Sequence, residues 1–344
     1  MALSKPTRII VAFVLIVLIG LGITGLNYYL KYFGGNVTDR QKYLYIKTGS
    51  AYGDVYHTLQ EQGILKDTTS FQWVAAHMEY TRIKPGKYRL QKGMNNRTLI
   101  NMLKAGNQEP VRISFRNLRL KEDFAKYVSA NIEADSASVM RLLDSSDFVG
   151  KKGFTTDNIF TMFIPNTYEL WWNTSAREFF DRMSSEYSKF WTPARREKAQ
   201  KIGLSPIEVT TLASIVDAEA LHDEEMPAVA GLYMNRLNKG IKLESDPTVI
   251  FAQKDFTIRR VLNKYLIINS PYNTYMYAGL PPGPIMMPSI RAIDAVLNYQ
   301  KHNYLYMCAK EDFSGYHNFA SNHADHIANA RRFQKALNDR KIMH

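Results

Sequence analysis

Residues 205–221 read SPIEVTTLASIVDAEAL, and this stretch decides how the second half of the chain folds. Ser205 is a helix-capping residue type, and Pro206 suits a first helical position because its missing N–H is one the helix leaves unpaired anyway. Apolar residues follow at helical spacing, so the pattern predicts one helix from Ser205 to Leu221. Its stripe is Val209, Leu212, Ala213, Val216 and Ala220. Glu219 shares that side, whereas Asp217 falls off it. A carboxyl partly withdrawn from water keeps its proton to higher pH, because the charged form loses more hydration, and a carboxyl protonated near neutrality is what a general acid requires. The same spacing suits a blander reading, in which Glu219 reaches solvent at the edge of the stripe or pairs with Arg236 of the next helix.

Outward from this helix, the chain after residue 111 is mostly helical in pattern, with periodic stretches in 120–145 and 175–190. Asp223 is placed to cap the next helix and Gly240 to end it. Residues 271–288 are rich in Tyr, Gly and Pro and are expected to form an ordered loop. Upstream, Ile46-Lys-Thr-Gly49 followed by Val55 and Leu59 is echoed by Leu90-Gln-Lys-Gly93 followed by Leu99 and Leu103. Each copy reads as a strand, a glycine turn and a helix, so 41–110 is expected to be a small α+β domain.

Residues 9–30, IIVAFVLIVLIGLGITGLNYYL, carry no charge and suffice to cross a bilayer core of ~30 Å as a helix. Lys5 and Arg8 precede the run, which favours a cytoplasmic N-terminus (1–8) with everything after Lys31 outside. A cleaved signal peptide is the competing reading, but no Ala-x-Ala site closes the run. The fold class is therefore α+β: one N-terminal transmembrane helix at 9–30, a linker at 31–40, the small domain at 41–110 and a larger, mainly helical α+β domain at 111–344.

The formal net charge of +12 suits an anionic partner, but there is no dense basic run and no nucleic-acid module, so nucleic acid is not the expected partner. The single cysteine, Cys308, excludes an intrachain disulfide framework and a cysteine-only zinc site. His317, His323 and His326 invite a metal reading, yet a third ligand and an activating carboxylate are not evident, and neither metal nor cofactor is expected. Asp246-Pro247 reads as a helix start, and Ser270-Pro-Tyr-Asn-Thr-Tyr275 with Gly279-Leu-Pro-Pro-Gly283 supplies aromatic faces and amides of the kind that hold sugars. A packed loop without ligand fits those residues as well.

Taken together, Ile164-Pro-Asn-Thr-Tyr168, Leu212-Ala-Ser-Ile-Val-Asp-Ala-Glu219, Asn235-Arg-Leu237, Ser245-Asp-Pro-Thr-Val249, Tyr272-Asn-Thr-Tyr275, Gly279-Leu-Pro-Pro-Gly283 and Tyr316-His-Asn-Phe319 resemble, in order, the endolytic murein transglycosylase (YceG-like) family. Asp217 stands where that family often has Glu, and Asn166 where Asp is common. The resemblance implies that 41–110 is a LysM-like domain and 111–344 the catalytic domain. It also implies cleavage of the β-1,4 bond between N-acetylmuramic acid and N-acetylglucosamine within glycan strands, leaving 1,6-anhydro ends and terminating nascent strands. Glu219 would carry the acid/base role, with Asn235, Asp246, Tyr272, Asn273, Thr274 and Tyr275 positioning substrate. Peptidoglycan strands and the synthases (penicillin-binding proteins) would be the partners, at a bacterial inner membrane with the catalytic domain in the periplasm. Two other classes stay open: a non-catalytic peptidoglycan-binding scaffold, and a hydrolase that uses Glu219 with a second carboxylate.

Overall fold

The computed structural model describes residues 4–115, 118–258 and 260–340, so the expected chain ends at 1–3 and 341–344 lie outside the described residues. The chain is mixed α+β and mostly helical, and it divides into two compact units, 1–111 with 169–174, and 112–168 with 175–344.

The first unit holds α1 (Lys5–Phe33), β1 (Tyr43–Ile46), α2 (Tyr52–Glu61), α3 (Thr68–His77), β2 (Gly86–Arg89) and α4 (Asn96–Ala105). By length and composition α1 is apolar enough to cross a membrane, and none of its residues is buried. The two echoing segments fold as the two strand–turn–helix units, and each turn glycine, Gly49 and Gly93, has a φ near +80° that a side chain would strain. β1 and β2 pair antiparallel, with Leu44 and Ile46 of β1 and Tyr88 of β2 turned inward onto Val55, Leu59, Phe71, Val74, Leu99 and Leu103. A buried polar knot closes this core. Asn36 Nδ2 donates to Asn96 Oδ1 (2.8 Å), while Asn96 Nδ2 donates to Ser70 Oγ (3.1 Å) and to the Lys31 carbonyl at the end of α1 (2.9 Å). Breaking such a knot leaves an unsatisfied buried group, a cost of about 1–3 kcal/mol. The end of α1 is thereby tied to the small domain, and Tyr28 and Lys31 add contacts to the Trp73 ring.

β3 (Val111–Ser114) and β4 (Thr167–Leu170) pair with each other. The second unit contains α5 (Lys121–Ser129), α6 (Ser136–Leu143), α7 (Ser146–Gly150), α8 (Ala176–Phe190) and α9 (Pro193–Lys201). There follow α10 (Pro206–Glu219), α11 (Met226–Asn238), α12 (Asp246–Gln253), α13 (Asn263–Leu266) and α14 (Ile290–Leu297). The antiparallel ribbon β5 (Tyr306–Ala309) and β6 (His317–Ala320), then α15 (His323–Asp339), complete it.

α10 is the axis of this unit. Ser205 caps its start, as its residue type predicts, and Glu208 reciprocates by accepting from the Ser205 N–H. Every residue from Val209 to Val216 is buried, because α11 and α14 pack against the helix and the 279–288 loop is pinned to it by Ser214, whose hydroxyl accepts from Ile285 N at 3.0 Å. The one-sided stripe read from the sequence is therefore too narrow: the helix is enclosed all round. It also ends earlier than Leu221. Ala220 is already extended, and Leu221 is 75% exposed. Asp223 lies in a single 3₁₀ turn, Asp223–Glu225, ahead of α11 rather than capping that helix, while Gly240, at φ +65°, closes its far end.

Candidate active site

Because α10 stops at Glu219, the side chain emerges from the core at a helix end. It is half-buried in a cleft of ≈ 380 Å³ lined also by Tyr233, Arg236, Glu244, Asp246, Tyr275, Tyr306, Cys308, His317 and His326. Ser245 Oγ donates to Glu219 Oε1 at 2.6 Å, and Tyr233 Oη donates to the same oxygen at 3.0 Å. Burial pushes the Glu219 carboxyl above the usual carboxylate range. The two donated hydrogen bonds pull it back, nearby Asp246 pushes it further up and His317 pulls it down. Burial and the Glu219 charge likewise hold the Tyr233 phenol well above its ordinary value, so Tyr233 is a donor here and not a base. With both donors on Oε1, the proton of the acid form belongs on Oε2, the oxygen without a hydrogen bond among the described residues.

The setting of Ser245 explains how this geometry is held. It is the residue before α12, where serine usually caps the helix with its side chain, yet it makes no such bond because its hydroxyl is given to Glu219. Its backbone N–H donates instead to Thr274 Oγ1 (3.0 Å), and Thr248 Oγ1 binds both the Ser245 carbonyl (2.6 Å) and Thr274 Oγ1 (2.8 Å). Glu244, just before it, sits at φ +54°, a conformation that side chains resist, and is tied to the buried Arg236 guanidinium. Arg236 also donates to the Lys242 and Leu305 carbonyls, at 2.7 and 2.8 Å. On the sequence alone Arg236 stood as a partner for Glu219; it pairs with Glu244 instead.

Of the residues expected to position substrate, Asp246 and Tyr275 share the cleft with Glu219, and Tyr275 Oη donates to Asp246 Oδ1 at 2.7 Å. The others stand elsewhere. Asn273 is fully buried and donates to the Leu266 and Ile268 carbonyls (2.9 Å each), and Thr274 is buried in the hydroxyl cluster beneath Ser245. Asn235 donates to the His302 and Tyr304 carbonyls, at 2.7 and 3.0 Å, fixing the segment that leads into β5. Tyr272 packs on Phe251 and lines a different hollow with Asp157 and Arg119. Asn235, Asn273 and Thr274 thus brace backbone beside the cleft, and Tyr272 stands outside it.

Tyr233 and Ser245 were not singled out from the sequence as partners of Glu219. Ser245 carried a signal, a capping residue directly before Asp-Pro, but Tyr233 reaches Glu219 only through the packing of α10 on α11. His317, weighed as a metal ligand, binds Glu225 through Nδ1 at 2.7 Å, and His326 stacks on the Tyr306 ring. Among the described residues no cluster of three His, Cys, Asp or Glu side chains is disposed to hold a metal ion.

A larger hollow of ≈ 590 Å³ lies at Asp217, Asn166, Asp223, Ser289 and Arg291. Its carboxylates are engaged: Asp217 accepts from Ser289 N and Ser289 Oγ, both at 2.9 Å, and Asp223 pairs with Arg291.

A family model described as the YceG-like family matches residues 44–332. A protein of Streptococcus pneumoniae serotype 2, strain D39, named endolytic murein transglycosylase, is 28% identical over 316 residues, covering 83% of this chain and 57% of that protein. One of the same name from Bacillus subtilis strain 168 is 27% identical over 285 residues, 78% of each chain. The chain thus spans 57% of the length of the streptococcal relative. A crystal structure described as a putative yceG-like protein from Listeria monocytogenes superposes with a TM-score of 0.57 at 24% identity, over 83% of this chain and 97% of that one, and shares the fold.

Proposed function

The chain belongs to the YceG-like family, and on that premise we propose that it is an endolytic lytic transglycosylase of peptidoglycan. The observation that carries the reading is Glu219, a half-buried carboxyl with a raised pKa, held by Ser245 and Tyr233 through one oxygen so that the other is free to exchange a proton in the cleft. Glu219 Oε2–H donates to the glycosidic oxygen as the muramic-acid C1–O bond breaks and positive charge develops on the ring. The resulting carboxylate then takes the proton of the muramic-acid 6-hydroxyl, whose oxygen closes onto C1. No water is consumed, and the product is a 1,6-anhydro end. Ser245 and Tyr233 stabilise the carboxylate between the two steps, since their donated bonds favour its charged form.

The same reading makes α1 a single-pass anchor of the bacterial inner membrane, with the N-terminus cytoplasmic and the cleft outside, because Lys5 and Arg8 precede the apolar run. The small domain is the LysM-like module that engages glycan, and wall synthases are the partners whose nascent strands the cleft shortens. A hydrolase reading has one observation in its favour, Asp246, a second carboxylate close enough to act on the Glu219 charge. Incubating the full chain in detergent with purified long glycan strands and sizing the products tests the endolytic claim. Immediate loss of long strands is expected, and release of disaccharides from intact long strands overturns it.

A further inference from the structure

His317, the first residue of β6, stands in the Glu219 cleft but has no part in the proton transfers above. Glu225, the last residue of the 3₁₀ turn ahead of α11, is buried and gives its whole carboxylate to this one neighbour. Glu225 Oε1 accepts from the His317 backbone N–H at 2.8 Å, and Oε2 accepts from the ring Nδ1–H at 2.7 Å. The His222 ring stacks on Tyr316, with centres 4.0 Å apart, and pins the same segment from the other side. Holding the strand requires only the backbone bond; the ring bond sets the imidazole. A carboxylate accepts and does not donate, so Nδ1 carries the hydrogen and the neutral ring keeps its lone pair on Nε2.

That second nitrogen meets no hydrogen-bond partner among the described residues, yet it is not one of the atoms sealed from solvent. His302 shows the contrasting, structural use of the same side chain. Its Nε2 is taken by the Ala228 carbonyl at 2.9 Å, and its Nδ1 accepts from the Tyr304 N–H at 3.1 Å. His317 is held as firmly but on one nitrogen only, and its ring is near enough for Glu219 to sense its charge. We infer that His317 is a substrate-binding residue, its Nε2 accepting a hydrogen bond from a sugar hydroxyl or acetamido N–H, with Glu225 as the positioning residue that fixes the tautomer. The inference rests on the murein reading proposed above. Glu219 Oε2–H offers a bound sugar a donor and His317 Nε2 offers it an acceptor, and two contacts of opposite sense admit fewer orientations of the ring than either alone.

The test measures kcat and KM of the full chain in detergent on soluble glycan strands, with a thermal melt of each variant. His317→Asn keeps an N–H near the Nδ1 position for Glu225 but has no atom at Nε2. It is expected to raise KM about two- to tenfold, the worth of one neutral hydrogen bond, with kcat little changed. His317→Gln carries its amide out to the Nε2 position and is expected to recover part of the loss, which a role in packing alone does not allow because Gln lacks the Nδ1 bond. Glu225→Gln leaves one oxygen for two donors, so the neutral ring moves its hydrogen to Nε2; the acceptor becomes a donor, and KM is expected to rise as in His317→Asn. A His317→Asn variant that keeps the parent KM overturns the proposal and leaves the murein reading standing. A loss that tracks lowered melting, and is deeper in His317→Gln than in His317→Asn, assigns the ring to packing and overturns it too. A parent KM in Glu225→Gln overturns the tautomer assignment. A parent chain that neither binds nor cuts glycan overturns both this inference and the reading beneath it.

Discussion

Asp217 and Glu219 stand two residues apart in the last turn of α10, about 200° apart around the helix, and meet different surroundings. Asp217 spends both oxygens on Ser289, at the start of α14, beside the larger hollow. Glu219 faces the smaller cleft, takes its donors on one oxygen and is pushed toward its protonated form. The larger hollow is therefore not the one that holds the acid with the raised pKa. What separates the two acids is whether both carboxyl oxygens are taken by donors, as at Asp217, or one is left without a hydrogen bond, as at Glu219.

The sharpest break of this comparison is Glu219→Gln, which keeps shape and the Oε1 acceptor but removes the proton. Cleavage is expected to fall about 10²- to 10⁴-fold, toward the upper end because on the proposed mechanism one residue serves both steps, as read from initial rates on soluble glycan. The same variant should gain stability. The Glu219 pKa is raised in the native state, so between the ordinary glutamate value and the raised one the folded protein binds more protons than the unfolded chain, and stability drops as pH rises through that window. Thermal unfolding is expected to show Glu219→Gln melting above the parent at neutral pH and level with it at acid pH, below the ordinary glutamate range.

Asp217→Asn should do the opposite on a smaller scale. The amide still accepts one bond from Ser289 but turns an N–H toward the other donor, which costs about 1–3 kcal/mol of stability. Activity of the folded variant should stay within about tenfold of the parent, since neither Asp217 nor Ser289 lines the Glu219 cleft. A dead Asp217→Asn that melts normally would contradict the assignment of the chemistry to Glu219.

Much of this was legible in the sequence. Ser205-Pro206 announced α10, and the Gly49 and Gly93 turns announced the two matching halves of the small domain. Glu219 stood out by position and by the motif around it. The surroundings of Asn235, Asn273 and Thr274 were harder to read, because their partners are backbone carbonyls and hydroxyls across the fold, which spacing does not reveal. Tyr233 is invisible for a different reason. It reaches Glu219 from the neighbouring helix, a contact that depends on how α10 and α11 pack, and Ser245 hides as a helix cap until its hydroxyl is seen turned away from α12.

The most direct test of the central claim, that Glu219 works as a proton donor poised by Ser245 and Tyr233, is the pH dependence of kcat/KM for the parent and for Ser245→Ala, measured side by side. The acid form is the active one, so the parent rate should fall as pH rises through the raised Glu219 pKa. Removing a donor that favours the carboxylate should move that falling limb to higher pH while lowering the plateau about tenfold. A parent rate that climbs with pH across the same range, or a limb that stays in place in Ser245→Ala, would contradict it.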